Sequence, residues 1–198
     1  RAIAAGGSPG PSDVMDYIAI AQTGNAVDFG DLTVEREGLA QGCISNGTRG
    51  IFSGGNTPTL INTIEFVTIM TTGNATDFGD TIATKSRSGN CCNSTRGLIG
   101  GGATPSNIND IDFITIASTG NASDFGDLTS SRSNLGSASS PTRGLFLGGQ
   151  TPSIVNIIDF VEILTTGNAQ DFGDMDAAGA TNGVIRPTGT SSNGHGGL

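Results

Sequence analysis

Histidine, tryptophan and tyrosine are almost missing from this chain, which has one His, no Trp and one Tyr in 198 residues. The single His195 stands in a Gly- and Ser-rich stretch without a Cys, Asp or Glu beside it. A Ser or Cys nucleophile needs a positioned base, and a copper-dependent oxidase needs several His and Tyr ligands. We therefore expect no enzymatic activity and no cofactor.

Cysteine is also scarce, and Cys43, Cys91 and Cys92 form an odd set without CxxC spacing. Such a set builds no disulfide framework and leaves a zinc site short of ligands. Because successive side chains of a strand point to opposite faces, we expect Cys91 and Cys92 to lie on opposite sides of one sheet. We predict that they act as small apolar packing residues.

Positive charge is sparse: 9 Lys and Arg stand against 18 Asp and Glu, which gives a net charge of −9. Nucleic-acid binding depends on clustered Lys and Arg, whereas these basic residues stand at repeat boundaries or near an end. No apolar run reaches the ~20 residues of a membrane-spanning helix, and no signal peptide is recognisable. We expect neither a nucleic-acid partner nor membrane insertion.

The chain contains four copies of one sequence repeat, with a period of 47 or 48 residues. Each unit has an arginine, a glycine pair, an apolar run with an acidic residue before an aromatic ring, and a closing phrase TGNAxDFGD. A period of this size indicates a repeat architecture. The arginines are Arg1, Arg49, Arg96 and Arg143, and the glycine pairs are Gly6 and Gly7, Gly54 and Gly55, Gly101 and Gly102, and Gly148 and Gly149.

Within the third unit the pattern predicts four short strands and no helix. We place a first strand from about residue 88 to 95, a turn at Arg96 and Gly97, and further strands over 98–101, 111–118 and 124–129. Pro105 and the Thr-Gly-Asn stretch mark the intervening loop and turn. Four antiparallel strands in each unit of about 47 residues predict an all-β fold, a four-bladed β-propeller.

The units resemble the kelch repeat, in which a strand-opening Arg precedes a Gly-Gly pair and aromatic rings stand on the third and fourth strands. Kelch repeats usually carry Trp on the fourth strand, where this chain has Phe. The resemblance covers residues 1 to about 179, and we expect Phe78, Phe125 and Phe172 to lie between blades. The matching residues are Arg36 and Arg132, with Lys85 or Arg87 in the third unit, the glycine pairs, Tyr17, Phe66, Phe113 and Phe160, and Phe29, Phe78, Phe125 and Phe172.

Domain boundaries follow from the repeat. We expect units at 1–48, 49–95, 96–142 and 143–184 within one propeller over 1–184, and a Gly- and Ser-rich tail at 185–198. The first unit begins at its second strand, so we expect the segment 177–184 to pair with residues 1–6 and close the ring. The alternative is an arc completed by further blades of a longer gene product or by a neighbouring subunit.

Charged positions repeat with the frame. A hairpin centred near residues 58–59 would place Arg49 opposite about residue 67, within diagonal reach of Glu65. We predict structural ion pairs between strands or blades, with a ligand site as the alternative. The predicted pairs are Arg49 with Glu65, Arg96 with Asp112, and Arg143 with Asp159.

The closing turn groups Asn121, Asp124 and Asp127 in the third unit. Oxygen ligands on a Gly-containing loop suit Ca²⁺, but the six or so ligands that the ion needs are not evident. We favour no metal, and interpret these side chains as acceptors of backbone N–H groups in the turn. Formal glycosylation sequons at Asn46, Asn74, Asn93 and Asn121 are interpreted as products of the same turns.

Four variable loops interrupt the repeated frame: SPGPSDV, NTPTLIN, ATPSNIN and QTPSIVN. Loops on a rigid scaffold commonly carry binding. The predicted binding residues are Thr57, Pro58, Thr104, Pro105, Thr151 and Pro152.

The phrases TGNASDFGDLT and STRG resemble tandem repeats in virion structural and tail-fibre-like proteins of aquatic bacteriophages, including those of cyanobacteria. This resemblance implies an extracellular virion module, a tail-fibre or capsid-fibre component that is structural or adhesive. Its expected partners are other virion proteins, copies of itself or a host-surface glycan. The alternatives are a secreted bacterial surface or filament protein and a propeller enzyme that degrades or oxidises polysaccharide.

Overall fold

The computed structural model describes residues 1–7 and 9–176, which contain strands and turns but no helix. The all-β prediction is confirmed. The strands are β1 Ala2–Ala5, β2 Ser12–Ile18, β3 Val27–Arg36, β4 Gln41–Gly42, β5 Ile44–Ser45, β6 Arg49–Ser53, β7 Asn56–Thr57, β8 Thr59–Leu60, β9 Thr63–Thr68, β10 Thr76–Asp80, β11 Gly89–Cys92, β12 Arg96–Gly100, β13 Ala103–Thr104, β14 Ser106–Asn107, β15 Asp110–Thr115, β16 Ser123–Asp127, β17 Gly136–Ser139, β18 Arg143–Leu147, β19 Ile157–Glu162 and β20 Gln170–Asp174.

Each unit of the repeat forms one antiparallel sheet. Sheet 1 has the order β1-β2-β3, and no strand among residues 1–7 and 9–176 takes the place of the first strand of the other sheets. Sheet 2 has the order β5-β6-β9-β10 and sheet 4 has β17-β18-β19-β20. Sheet 3 has the order β4-β11-β12-β15-β16, in which β4, from the segment that continues into β5 of sheet 2, runs parallel to β11. The small hairpins β7–β8 and β13–β14 lie in the loops between second and third strands.

The four main strands predicted for the third unit are present, but β11 and β15 end three residues earlier than predicted, β16 ends two residues earlier, and β12 begins at Arg96 and not at residue 98. Arg96 and Gly97 belong to β12, and the turn lies just before them. The side-chain Oδ1 of Asn93 accepts the backbone N–H groups of Thr95 and Arg96 at 2.9 and 2.8 Å, which is a hydrogen-bonded Asx turn. The turn therefore ends two residues earlier than predicted.

Three apolar cores separate the four sheets, one between each consecutive pair. The core between sheets 1 and 2 contains Met15, Phe29, Leu32, Val67 and Ala75. The core between sheets 2 and 3 contains Ile44, Ile51, Ile64, Phe78, Cys92, Ile99, Ile114 and Ile116. The core between sheets 3 and 4 contains Cys91, Leu98, Ile111, Phe125, Leu128, Leu135, Phe146, Val161 and Ile163.

The inner sheets are buried on both faces because neighbouring residues of one strand enter different cores. Leu98 and Ile99 divide in this way, and so do Cys91 and Cys92. The prediction that the two cysteines lie on opposite sides of one sheet is confirmed. Burial raises the pKa of both thiols, which keeps them in the neutral, packing form.

The first strands of sheets 2, 3 and 4 converge on one line. β4 pairs in parallel with β11, and the Ser137 hydroxyl of β17 donates to the carbonyl oxygens of Gln41 and Asn90. Gly42 permits this approach, since a Cβ there would lie 2.2 Å from the Asn90 carbonyl oxygen. The segment that leads into β5 of sheet 2 thus contacts the first strands of both sheet 3 and sheet 4.

The segment 177–184 and the tail 185–198 lie outside the described residues. The pairing of 177–184 with residues 1–6, and the ring closure that depends on it, therefore stay predictions.

Candidate functional site

We term each contact between consecutive sheets a junction. At each junction a cation and a carboxylate form a fully buried ion pair. The pairs are Arg36 with Glu65, Lys85 with Asp112 (Nζ to Oδ2, 2.9 Å) and Arg132 with Asp159 (Nη2 to Oδ2, 2.9 Å). The partners predicted from the sequence, Arg49, Arg96 and Arg143, are wrong. The true partners are the strand-opening basic residues of the kelch resemblance, and in the third unit this residue is Lys85.

Strand register explains the error. Arg49 lies opposite Thr68, not residue 67, and stacks at 4.4 Å from the centre of the Phe66 ring. Glu65 lies opposite Phe52 on the same pair of strands. Because a shift of one residue moves a side chain to the other face of a sheet, Arg49 and Glu65 point to opposite faces.

Each buried carboxylate is also bonded to the preceding sheet. Asp159 accepts the backbone N–H of Thr129 at 3.0 Å and the Thr129 hydroxyl at 2.7 Å. Glu65 accepts the N–H of Thr33 at 3.0 Å, and Asp112 accepts the N–H of Ile82 at 3.3 Å. The ion pairs therefore hold successive sheets together.

Burial changes the proton affinity of these groups. It lowers the pKa of the Arg36 and Arg132 guanidinium groups, and the neighbouring carboxylates Glu65 and Asp159 partly offset this effect. Burial raises the pKa of the Asp112 carboxyl, although Lys85 acts in the opposite direction. A buried charge that loses its partner is costly, so these sites are sensitive positions for stability.

The arginines that begin the units bridge junctions by a different contact. Arg49 donates from Nη1 to the carbonyl oxygen of Ile116 in sheet 3, and Arg96 donates to that of Ile163 in sheet 4, both at 3.0 Å. Arg1 donates to Ile69 at 3.1 Å. Arg143, which has no following sheet among the described residues, instead forms a half-exposed bridge to Glu162 at 2.7 Å.

The closing phrase supplies the third junction contact. At the junction of sheets 3 and 4, Gly167 N–H donates to the Phe125 carbonyl at 2.7 Å, and the Asn168 side chain accepts the N–H of Asp127 at 3.1 Å. Gly126 allows this approach, since a Cβ there would lie 2.5 Å from Gly167. The turn of one unit is thus hydrogen-bonded to the fourth strand of the unit before it.

The same contact occupies one of the candidate calcium ligands, Asn121. Asn121 Oδ1 accepts the N–H of Asp80 from the preceding sheet at 3.1 Å. The sequence interpretation located this acceptor role within its own turn, whereas the structure assigns it to the junction. Among residues 1–7 and 9–176, no group of three or more His, Cys, Asp and Glu side chains is placed to hold a metal ion.

The fourth-strand phenylalanines differ in burial. Phe78 and Phe125 are 2% exposed and lie at junctions, as expected, and Phe29 is buried to the same extent. Phe172 is 54% exposed, so its predicted position between blades is wrong for the described residues, where no sheet follows sheet 4. Its edge-to-face contact with Phe160 resembles that of Phe125 with Phe113.

The glycine pairs end the second strands, as predicted, since β6, β12 and β18 stop just before them. Gly54, Gly101 and Gly148 have φ near +60°, a conformation that disfavours side chains. Gly55 and Gly102 donate their N–H groups to the carbonyl oxygens of Lys85 and Arg132, so the pairs also position the buried cations.

An open groove of about 460 Å³ lies beside these glycine-containing loops. It opens near the start of the converging first strands, and its walls include polar side chains and one of the predicted loop prolines, Pro105. Pro58 and Pro152 are exposed at the corresponding loop positions. The lining residues are Glu37, Gly38, Leu39, Gln41, Asn56, Leu60, Ser86, Arg87, Ala103, Pro105 and Asn134.

Arg87 is the distinctive side chain of this groove. Among the described residues it is the one basic side chain without an ion pair or an aromatic-ring contact. Its φ of 58° is rare for a residue with a side chain, and its counterpart in the preceding unit is Gly38. Backbone hydrogen bonds from Arg87 N to Gly38 O and from Asn134 N to Arg87 O hold it in a column across three units.

Sequence reasoning left Lys85 and Arg87 as alternatives for one structural role. Lys85 takes that role, and Arg87 lines the groove. Aligning the units would have shown that Arg87 stands where the preceding unit has Gly38.

No protein-family model matches this chain, and a comparison with curated proteins finds no match. Of the part of the chain that is described, no helix is long and apolar enough to cross a membrane.

Proposed function

We propose that this chain is a non-enzymatic structural and adhesive module of a phage virion, a tail-fibre or capsid-fibre component. Its four sheets would serve as kelch-like propeller blades that present a binding face to a host-surface glycan or to other virion proteins. The virion assignment rests on the resemblance of the repeated phrases. The blade assignment and the binding face rest on the geometry described above.

Two observations support a propeller-like arrangement. Consecutive sheets pack face to face across continuous apolar cores, as propeller blades do. The first strands of sheets 2, 3 and 4 also converge on one line, as inner strands do around a propeller axis.

The observation that carries the adhesive role is the groove around Arg87. An unpaired guanidinium lies there with Gln41, Asn56 and Asn134, which supply amide donors and acceptors. Arginine binds carboxylate and phosphate groups in a bidentate manner. The groove therefore suits an acidic surface glycan, whose carboxylate Arg87 would bind while the amides meet its hydroxyl groups.

The groove offers less to the enzymatic alternative. Glycoside hydrolysis canonically uses two carboxyl groups on either side of the scissile bond. Of the described residues that line the groove, one, Glu37, carries a carboxylate. Glu65, Asp112 and Asp159 are fully buried in ion pairs, away from any substrate.

The test is binding of the purified chain to a panel of acidic and neutral bacterial surface polysaccharides, measured by biolayer interferometry. The variant Arg87→Gly removes the guanidinium while keeping the backbone conformation that Gly38 adopts in the equivalent position. We expect binding to acidic glycans that Arg87→Gly reduces at least tenfold. Arg143→Ala, which removes an exposed arginine outside the groove, is the matched control and should bind normally.

Equal binding by Arg87→Gly and the unmodified chain would contradict the groove as the binding site. Release of reducing ends from any polysaccharide of the panel would favour the enzymatic alternative. Localisation of the protein in purified virions by immunogold labelling separates the phage assignment from a secreted bacterial surface protein.

A further inference from the structure

Each junction is formed by two sheet faces, and sheets 4 and 1 each have one such face that no described sheet covers. The face of sheet 4 matches the first partner of a junction, and the face of sheet 1 matches the second. On sheet 4, Phe172 is 54% exposed, whereas its counterparts Phe78 and Phe125 are 2% exposed. A Cβ on Gly173 would meet nothing within 4 Å, although one on Gly126 would strike the turn of the next unit. The outer face of sheet 4 therefore has the residues on which a following sheet packs at the other junctions, but no described sheet packs on it.

Sheet 1 has the complementary half, which begins with two exposed apolar side chains. Ile18 is 43% exposed, while the residues at the same repeat position of the other sheets are 2–4% exposed. Ile20 is 73% exposed, whereas its counterparts Ile116 and Ile163 are fully buried and Ile69 is partly buried. The counterparts of Ile18 are Val67, Ile114 and Val161.

The closing turn of the first unit completes this half. In the later units, the N–H groups of Gly73, Gly120 and Gly167 donate to the carbonyl oxygens of the fourth-strand phenylalanines of the preceding sheet. Gly24 occupies the same repeat position, and its N–H has no backbone acceptor among the described residues. The first unit therefore presents a turn that is ready to bond to a fourth strand.

We infer that these halves join head to tail between two copies of the chain, so that sheet 1 of one copy packs on sheet 4 of the next. Three internal junctions show that the two surfaces fit each other, because the same residue types at the same repeat positions already pack in this way. Phe172 of one copy would be covered by Ile18 and Ile20 of the other. Gly24 N–H would donate to the Phe172 carbonyl, as Gly167 donates to that of Phe125. An interface of this heterologous kind builds a closed ring of copies or a fibre.

One element of the internal junctions is missing from this contact. Asp16 occupies the position of Glu65, Asp112 and Asp159, and it is exposed. The residue at the repeat position of Arg36, Lys85 and Arg132 after sheet 4 is Gly179, which brings no cation. Burial of an unpaired carboxylate is costly, so the head-to-tail contact should be weaker than the internal junctions and should tighten when Asp16 is neutralised.

Sedimentation velocity of the full chain over a range of concentrations tests the inference. We expect a concentration-dependent series of oligomers. Asp16→Asn should strengthen association by about tenfold or more, because it removes the unpaired charge. Phe172→Asp should abolish association while leaving the circular dichroism spectrum unchanged, since Phe172 is already half exposed. Met70→Asp changes an exposed apolar residue (67%) in the turn after β9 and should associate normally.

Disulfide trapping distinguishes association between copies from closure within one chain. In a background with Cys43 replaced by Ser, one protein carries Asn25→Cys and another carries Asp174→Cys, the repeat positions of Asn168 and Asp127. Because Asn168 and Asp127 are in hydrogen-bond contact, Asp127→Cys with Asn168→Cys in one chain calibrates the trap. We expect the two single variants, when mixed and oxidised, to form a covalent heterodimer.

The inference is overturned if both the unmodified chain and Asp16→Asn stay monomeric at all concentrations. It is equally overturned if Asn25→Cys and Asp174→Cys placed in one chain give only an intramolecular bond, which is the result expected for a closed single-chain ring. The inference deepens the structural part of the proposed function and rests on it. Glycan binding by the monomeric Phe172→Asp variant would show that the adhesive part stands even where assembly fails.

Discussion

The junction of sheets 3 and 4 and the junction of sheets 2 and 3 have the same backbone contacts but different polar centres. Gly167 donates to Phe125 and Gly120 donates to Phe78, both at 2.7 Å. At the first of these junctions, Arg132 and the Thr129 hydroxyl both bind Asp159. At the second, Lys85 replaces the arginine, Ile82 replaces the threonine, and Asp112 Oδ1 lacks a hydrogen-bond partner among the described residues.

This difference separates the contacts that define sheet packing from the polar contacts that change only the stability of a junction. The glycine contacts and the edge-to-face ring pairs are the same at both junctions, and each junction has an apolar core, so these features define how the sheets pack. At the junction of sheets 2 and 3, Lys stands in place of Arg and Ile in place of Thr. As a result the Asp112 carboxyl is incompletely hydrogen-bonded, and its pKa is raised by burial. Satisfied buried polar groups stabilise, whereas a partly satisfied one costs free energy.

Removing the carboxylate should be more damaging at the junction of sheets 3 and 4. We expect Asp159→Ala to lower the free energy of unfolding by about 3–5 kcal/mol, because it leaves a buried Arg132 that cannot lose its proton. Asp112→Ala should cost less, since Lys85 has one compact ammonium group on a flexible stem, whereas Arg132 has a rigid, planar guanidinium that fits a carboxylate. Urea denaturation followed by circular dichroism measures both values. Equal losses would mean that the identity of the cation does not matter.

Ring burial should separate the inner junctions from the open face. We expect Phe125→Ala to cost about 3–5 kcal/mol, as truncation of a buried Phe commonly does. Phe172→Ala should cost less than about 1 kcal/mol in the monomer, in line with substitutions of exposed side chains. The same denaturation experiment at low protein concentration reports both, and a small loss at Phe125 would contradict its position in the core.

Supplying the missing hydroxyl should make the two junctions alike. Ile82 is 55% exposed, so Ile82→Thr loses little apolar burial and gives Asp112 the donor that Thr129 gives Asp159. We expect a gain of about 1 kcal/mol. The reciprocal variant Thr129→Ile should lose a similar amount. A destabilised Ile82→Thr protein would indicate that the two carboxylates are not in equivalent settings.

The raised pKa of Asp112 predicts a pH effect of defined sign. A folded-state pKa above the unfolded one means that the native protein holds the extra proton. The contribution of Asp112 to stability is then fully present below the unfolded pKa of about 3.9 and is lost as the pH rises through the folded pKa. The unfolding free energy of Asp112→Asn relative to the unmodified chain should therefore rise with pH in this window. Parallel pH profiles for the two proteins would contradict the assignment.

Much of the fold followed from periodicity. The repeat, the four sheets, the glycine pairs at the ends of second strands and the division of Cys91 from Cys92 were all readable, because each depends on local pattern. Burial of Phe78 and Phe125 followed from the same reasoning. Phe172 did not, because its environment depends on what stands beyond the last described strand and not on its own unit.

The polar contacts were harder to predict because they join residues of different units. Pairing Arg49 with Glu65 required a register correct to one residue, and the error of one residue reversed the face. Arg36 was already noted as a strand-opening residue, but its partner lies 29 positions away in the next sheet. The groove around Arg87 is lined by residues from several repeat units, so it could not be predicted from the pattern within one unit.

At each junction the buried carboxylate pairs with the basic residue at or after the end of the preceding sheet's last strand, and not with the arginine that begins its own unit. A double-mutant cycle between Arg132 and Asp159, with a second cycle between Arg143 and Asp159, tests this claim directly. We predict a coupling energy of about 2–3 kcal/mol for the first pair, as for side chains in one buried network. The second pair should show less than about 0.5 kcal/mol, as for residues without shared partners. A larger coupling for Arg143 than for Arg132 would contradict the account.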